Sequence, residues 1–185
     1  SAKIMFKYNF DEDKILSRLM PSTNVNIDIS INSQVRVWIE DYCNELVTEL
    51  ANSVFEAGSY NFQWDALDSN GKRVKNGVYI IKVEAEDNNF EQLILLNSTD
   101  FVDSNNYDNI VFEASSDSNG MFSISQTCLP FGEQIETIDE LGNELGVEVI
   151  SRNLNVFIVH PNYQDKVLEG VYLPSYGMQL DITLE

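Results

Sequence analysis

The chain of 185 residues is short of several things: one histidine, two cysteines, four prolines and eleven basic residues. Each shortage excludes something. A single histidine, His160, starves serine and cysteine triads of a base, because Cys43 or Cys128 would each need that same imidazole. With no CxxC or HExxH spacing, no metal site is expected. Four prolines exclude a proline-rich linker. No run of about 18 apolar residues occurs, so no helical membrane insertion is expected. Against eleven Lys and Arg stand 30 Asp and Glu, a formal net charge of −19. Phosphate-binding surfaces need the opposite sign, since cationic side chains must replace counterions, so nucleic acid and anionic membrane surfaces are poor partners, and no nucleic-acid partner is expected. The acidity reads as a solvated surface.

What is present is a β-protein pattern. Hydrophobic residues make up 43%, with ten Phe and eight Tyr, which excludes a disordered chain. Period-two alternation dominates, as expected for strands with one buried face. It runs through "VNIDISI" (Val25, Ile27, Ile29, Ile31), "VRVWIE" (Val35, Val37, Ile39), "YNFQW" (Tyr60, Phe62, Trp64) and "VYIIKVEA" (Tyr79, Ile81, Val83, Ala85). It resumes after residue 100 in "MFSIS", "VEVIS", "NLNVFIVH" and, most cleanly, "MQLDITLE", where Met178, Leu180, Ile182 and Leu184 are predicted to face inward. Asn-Gly pairs at 70–71, 76–77 and 119–120 mark tight turns. "IETIDELGNELG" reads as strand, turn, strand. Only "DEDKILSRLM", residues 11–20, is predicted as a helix. About fourteen strands at this spacing suit two tandem antiparallel β-sandwiches. The predicted boundary is the polar stretch 96–106, giving domains 1–98 and 104–185.

Residues 21–97 resemble a known family. The positions that carry the likeness are Ala57-Gly58, Trp64-Asp65, Asp68, Gly71, Val74 and Gly77-Val78-Tyr79. In that order they resemble the Ig-like domain of the flagellar hook-capping protein, and the C-terminal sorting domains of proteins exported by the type nine secretion route. The resemblance implies an Ig-like sandwich. Trp64 is then the core plug and Asp65 the cap of the following turn. Cys43 and Asn44 depart from the pattern, standing where the family has a glycine turn. Sorting domains close their chains, whereas residues 98–185 follow this motif. Residues 106–185 are similar to the transthyretin-like regulatory domains found beside carboxypeptidases. Ser116, Asp117, Gly120, Phe122, Ile124 and the turn Leu129-Pro130-Phe131-Gly132 carry that likeness, without a clear opening strand.

The candidates for chemistry are few. "DSNG" occurs at 68–71 and 117–120, but a calcium loop needs glycine sixth and glutamate twelfth, so hairpin turns are expected. His160, before Pro161, is expected at a strand end. Cys43 and Cys128 are expected as two free, partly buried thiols, since a bridge would tie two modules together. No glycine-rich phosphate loop precedes a helix. Trp38, with Tyr42, Tyr60, Tyr107 and Tyr176, offers material for a sugar-stacking platform, because Trp38 falls on the polar face of its strand; packing under the N-terminal segment is the plainer reading. The resulting expectation has no catalytic, cofactor-binding or metal residue and no cofactor. It is a non-enzymatic structural or interaction module of a bacterial exported protein, whether extracellular, cell-surface or periplasmic. Its partner would be a protein or cell-surface polymer. The alternatives are a carbohydrate-binding accessory module of a secreted hydrolase, or a secretion-sorting domain.

Overall fold

The computed structural model describes residues 1–8, 15–16, 18–19, 23–85, 88–96, 110–138 and 143–185. Among these the chain forms fourteen strands and one three-residue 3-10 turn, Gln126–Cys128. It divides into two units, one continuous (Arg18–Ser98) and one assembled from Ser1–Ser17 and Thr99–Glu185. The chain opens with β1 (Lys3–Tyr8) and β2 (Ile15–Leu16), both in the assembled unit. The expectation that residues 1–17 belong with the first sandwich is therefore corrected. β1 lies between β10 (Ile110–Ser115) and β13 (Asn153–Val159), pairing antiparallel with both. The predicted boundary at 96–106 lies outside the described residues, apart from Leu96.

The continuous unit is an Ig-like sandwich. Its larger sheet runs β3-β9-β8-β5-β6 and its smaller one pairs β4 with β7. These strands are β3 (Arg18–Leu19), β4 (Thr23–Ile29), β5 (Ser33–Asp41), β6 (Leu46–Phe55), β7 (Gly58–Trp64), β8 (Gly77–Ala85) and β9 (Asn88–Leu96). Alternation decides the core, because successive side chains leave a strand on opposite faces. Val25, Ile29 and Trp64 of the small sheet pack with Val35, Val37, Ile39, Tyr79, Ile81, Val83, Ile94 and Leu96 of the large one. Trp64 is fully buried, donates its indole N–H to the Leu67 carbonyl at 2.9 Å, and meets the Tyr79 ring edge-on at 5.2 Å. It is the predicted plug.

The assembled unit carries two antiparallel sheets, β10-β1-β13-β14 and β12-β11-β2. The remaining strands are β11 (Gln134–Ile138), β12 (Glu144–Val149) and β14 (Lys166–Tyr172). Direct partners Ile4 and Ile158, and Phe6 and Val156, place their side chains on one buried face, with Leu154 and Ile110 beside them. Ser116 fastens the strand set at its start: its hydroxyl accepts from the Ala2 N–H at 2.8 Å, and its own N–H donates to the Ala2 carbonyl. The hairpin expected in "IETIDELGNELG" is formed by β11 and β12; its turn at 139–142 lies outside the described residues.

Three sequence expectations fail here. The helix over 11–20 is not formed where the chain is described: Ile15–Leu16 pairs with β11 and Arg18–Leu19 with β9. A two-turn helix has few hydrogen bonds to offset its nucleation, so neighbouring sheet edges win. "MFSIS" and "MQLDITLE" are not strands. Phe122, Ile124, Leu180, Ile182 and Leu184 are each half-buried beside exposed polar neighbours, whereas Met178, predicted to face inward with them, is exposed. A ladder additionally needs a chain alongside, which a period-two pattern does not specify.

Candidate interaction surface

Trp38 sits on the outer face of β5, where its residue number on an alternating strand puts it. It is half-buried, not an open platform. The Arg36 guanidinium covers one face of the indole at 4.3 Å, and the indole N–H donates to Glu40 Oε1 at 2.7 Å. Glu40 also pairs with Lys82 Nζ at 2.7 Å, Lys82 reaches Glu91 at 3.5 Å, and Arg36 reaches Glu49 at 2.7 Å. Burial works to raise the Glu40 pKa. It is outweighed by the hydrogen bonds from Lys82 and Trp38 and by the charges of Lys82 and Arg36, so the carboxyl lies below its ordinary 4.5. The Lys82 ammonium is correspondingly held above its ordinary value, first by its hydrogen bond to Glu40. The network occupies one face of the indole with the Arg36 guanidinium. Of the other platform candidates, Tyr42 and Tyr60 are half-buried, Tyr176 is 90% exposed, and Tyr107 lies outside the described residues.

The two "DSNG" segments fold into the same turn. Asp68 Oδ1 accepts from the N–H groups of Asn70 and Lys72, both at 2.9 Å, while Gly71 takes φ 74°. Asp117 Oδ1 accepts from Asn119 and Met121, both at 2.8 Å, with Gly120 at φ 78°. A third copy, which sequence reading passed over, is Asp41-Tyr42-Cys43-Asn44-Glu45. There Asp41 Oδ1 accepts from Cys43 and Glu45 at 2.9 Å, and Asn44 adopts φ 64°. Asn44 thus fills the left-handed position that glycine holds in the other two, as asparagine can. In each case one carboxylate oxygen is spent on two backbone donors, the hairpin-turn role expected. Asp68, not Asp65, caps the turn after Trp64.

His160 also holds a turn. Its Nδ1 accepts from the Asn162 N–H at 3.2 Å and its ring packs on Tyr163 at 4.8 Å. The expectation of free thiols is corrected: Cys43 and Cys128 are both disulfide-bonded. Each is half-buried in a turn, Cys43 in the Asp41 turn and Cys128 at the end of the 3-10 turn. Among the described residues no group of three or more His, Cys, Asp or Glu is placed to hold a metal ion, and no helix is long and apolar enough to cross a membrane.

Two grooves remain. One, ≈ 420 Å³, lies in the Ig-like unit between β4 and the β8–β9 hairpin, with Ile31 and Phe90 exposed at its margin. The other, ≈ 650 Å³, lies in the assembled unit between residues 120–124 and 177–183, over Phe6, Leu129 and Leu173.

Residues 19–89 match the family described as the FlgD Ig-like domain. The span covers strands β4 to β8 whole, with Trp64 and the Asp68 turn inside it. Among solved structures, FlgD from P. aeruginosa is 22% identical, over 50% of this chain and 72% of that one, with a TM-score of 0.33. No curated protein matches the chain.

Proposed function

We propose that the chain is a non-catalytic structural and docking module of a bacterial exported or cell-surface protein, spacing or docking a larger assembly. The observation that carries this reading is the use to which its reactive groups are put. Asp41, Asp68, Asp117 and His160 each accept backbone N–H groups to hold a turn, and Glu40 and Lys82 neutralise each other. Groups so engaged rigidify a sandwich and are not poised for proton transfer. The match of residues 19–89 to the FlgD Ig-like domain supports a scaffold role. Two disulfide-bonded cysteines fit an oxidising compartment, where such bonds persist. Residues 106–185 are read as a transthyretin-like sandwich that draws its opening strand from β1.

The test is direct. The purified full chain is offered chromogenic ester, glycoside and peptide substrates, beside a His160→Ala variant. Background rates for both are expected; turnover that disappears with His160 would overturn the non-enzymatic reading.

A further inference from the structure

The groove of the assembled unit has walls of an unusual kind. Residues 121–125 and 178–184 are unpaired in any sheet, yet both alternate apolar and polar side chains. Their backbone groups are nearly all unused. Met121 is tied to Asp117, and the Thr183 carbonyl accepts from Lys166 Nζ, but the N–H and C=O groups of Phe122 to Ile124 and of Met178 to Ile182 bond to no described residue. Side chains do not relieve this, since Gln179 is turned to the Asp181 carboxylate. The floor, by contrast, is apolar and buried: Phe6, Leu129 and Leu173. Two methionines, Met121 and Met178, stand exposed at the lips.

We propose that this groove binds an extended peptide segment of a partner protein, which enters as a β-strand between residues 122–124 and 178–182. A strand presents N–H and C=O groups along both edges, so it can bond to unused backbone on both of the segments that line the groove. Its side chains alternate, and one set reaches the apolar floor while the other returns to solvent. Methionine lips adapt to varied apolar side chains. Charge selects the class of partner. Among the described residues Asp181 is the one charged side chain lining the groove, and the chain carries −19 overall. A second copy brings the same charge and is repelled; a strand with apolar residues at alternate positions and Lys or Arg between them is favoured.

The proposal rests on the docking reading and names the partner's chemistry. Its test uses the full chain. Displayed decapeptides with apolar residues at odd positions and Lys, Arg, Ser or Thr at even ones are selected against the protein, beside a matched library carrying Asp or Glu at the even positions. The basic library is expected to enrich. Amide exchange at Phe122–Ile124 and Met178–Ile182 is expected to be fast in the free chain and slowed at least about tenfold by the selected peptide. Ser123→Pro removes one donor that is unused in the free protein, so folding persists while affinity falls about tenfold or more. Asp181→Asn is expected to weaken the basic peptide. Slow exchange of both walls in the free chain would mean that they pair with each other. Protection that rises with protein concentration would mean a second copy. Either result overturns this proposal and leaves the docking reading intact, as does enrichment of neither library or binding indifferent to Ser123→Pro. The docking reading fails separately, on His160-dependent turnover.

Discussion

The two tryptophans of this chain show how two strands of one sandwich assign opposite fates to one residue type. Trp64 fills the space between two sheets, so Trp64→Ala is expected to cost about 3–5 kcal/mol in denaturant unfolding. Trp38 lies on an outer face under Arg36 and is tied to Glu40, and Trp38→Ala is expected to cost about 1 kcal/mol. Asn44 makes the backbone counterpart of this contrast. Its φ of 64° is tolerated by asparagine or glycine, so Asn44→Ala should cost about 1 kcal/mol while Asn44→Gly stays within about 0.5 kcal/mol. Glu40 supplies a pH test with a definite sign. Because its folded pKa is lowered from 4.5, its contribution is present above that value and is lost as pH falls through the folded one. Lys82→Met removes the main cause of the lowering. Melting temperature should therefore fall less steeply between about pH 5 and pH 3 in Lys82→Met than in the parent chain.

At the scale of elements, β1 is decisive. It lies inside the sheet β10-β1-β13-β14, so a fragment of residues 104–185 exposes the edges of β10 and β13 that β1 had joined. That fragment is expected to remain unfolded. Residues 1–17 joined to 99–185 through a flexible Gly-Ser linker are expected to fold cooperatively, as are residues 18–98 alone. Circular dichroism and thermal unfolding of the three fragments check this. A folded 104–185 would show that β1 is dispensable. The two short strands β2 and β3, where the sequence predicts a helix, follow from the same logic: each borrows its conformation from a strand far away in the chain.

For the whole molecule, oxidation state and charge govern behaviour. Both cysteines are disulfide-bonded, so thiol titration of the denatured, unreduced chain is expected to find none free and, after reduction, two. Reduction should lower the melting temperature, since a cross-link restricts the unfolded chain. Two free thiols before reduction would remove the support this bond lends to an oxidising location. The surplus of carboxylates disfavours nucleic acid, and the same field would favour the basic strand proposed for the groove.

Much of this was legible in residue order. Val35, Val37 and Ile39 declared a buried face, Trp64 a plug, and Gly71 and Gly120 left-handed turn positions. Such features depend on a residue's own shape and on neighbours a few positions away, so they can be read locally. The third Asp turn was missed because Asn44 replaces the expected glycine, although Asp four residues before Glu45 was the available signal. What tertiary structure alone decided is pairing at long range: that β1 joins β10 across the whole Ig-like unit, that Ser116 holds Ala2, and that Cys43 and Cys128 are oxidised. It also decided that two well-alternating segments, 121–125 and 178–184, face a groove without a ladder. Alternation states which side of a chain seeks an apolar environment. Whether another backbone lies 5 Å or so alongside depends on the path of the whole chain, which no local pattern encodes.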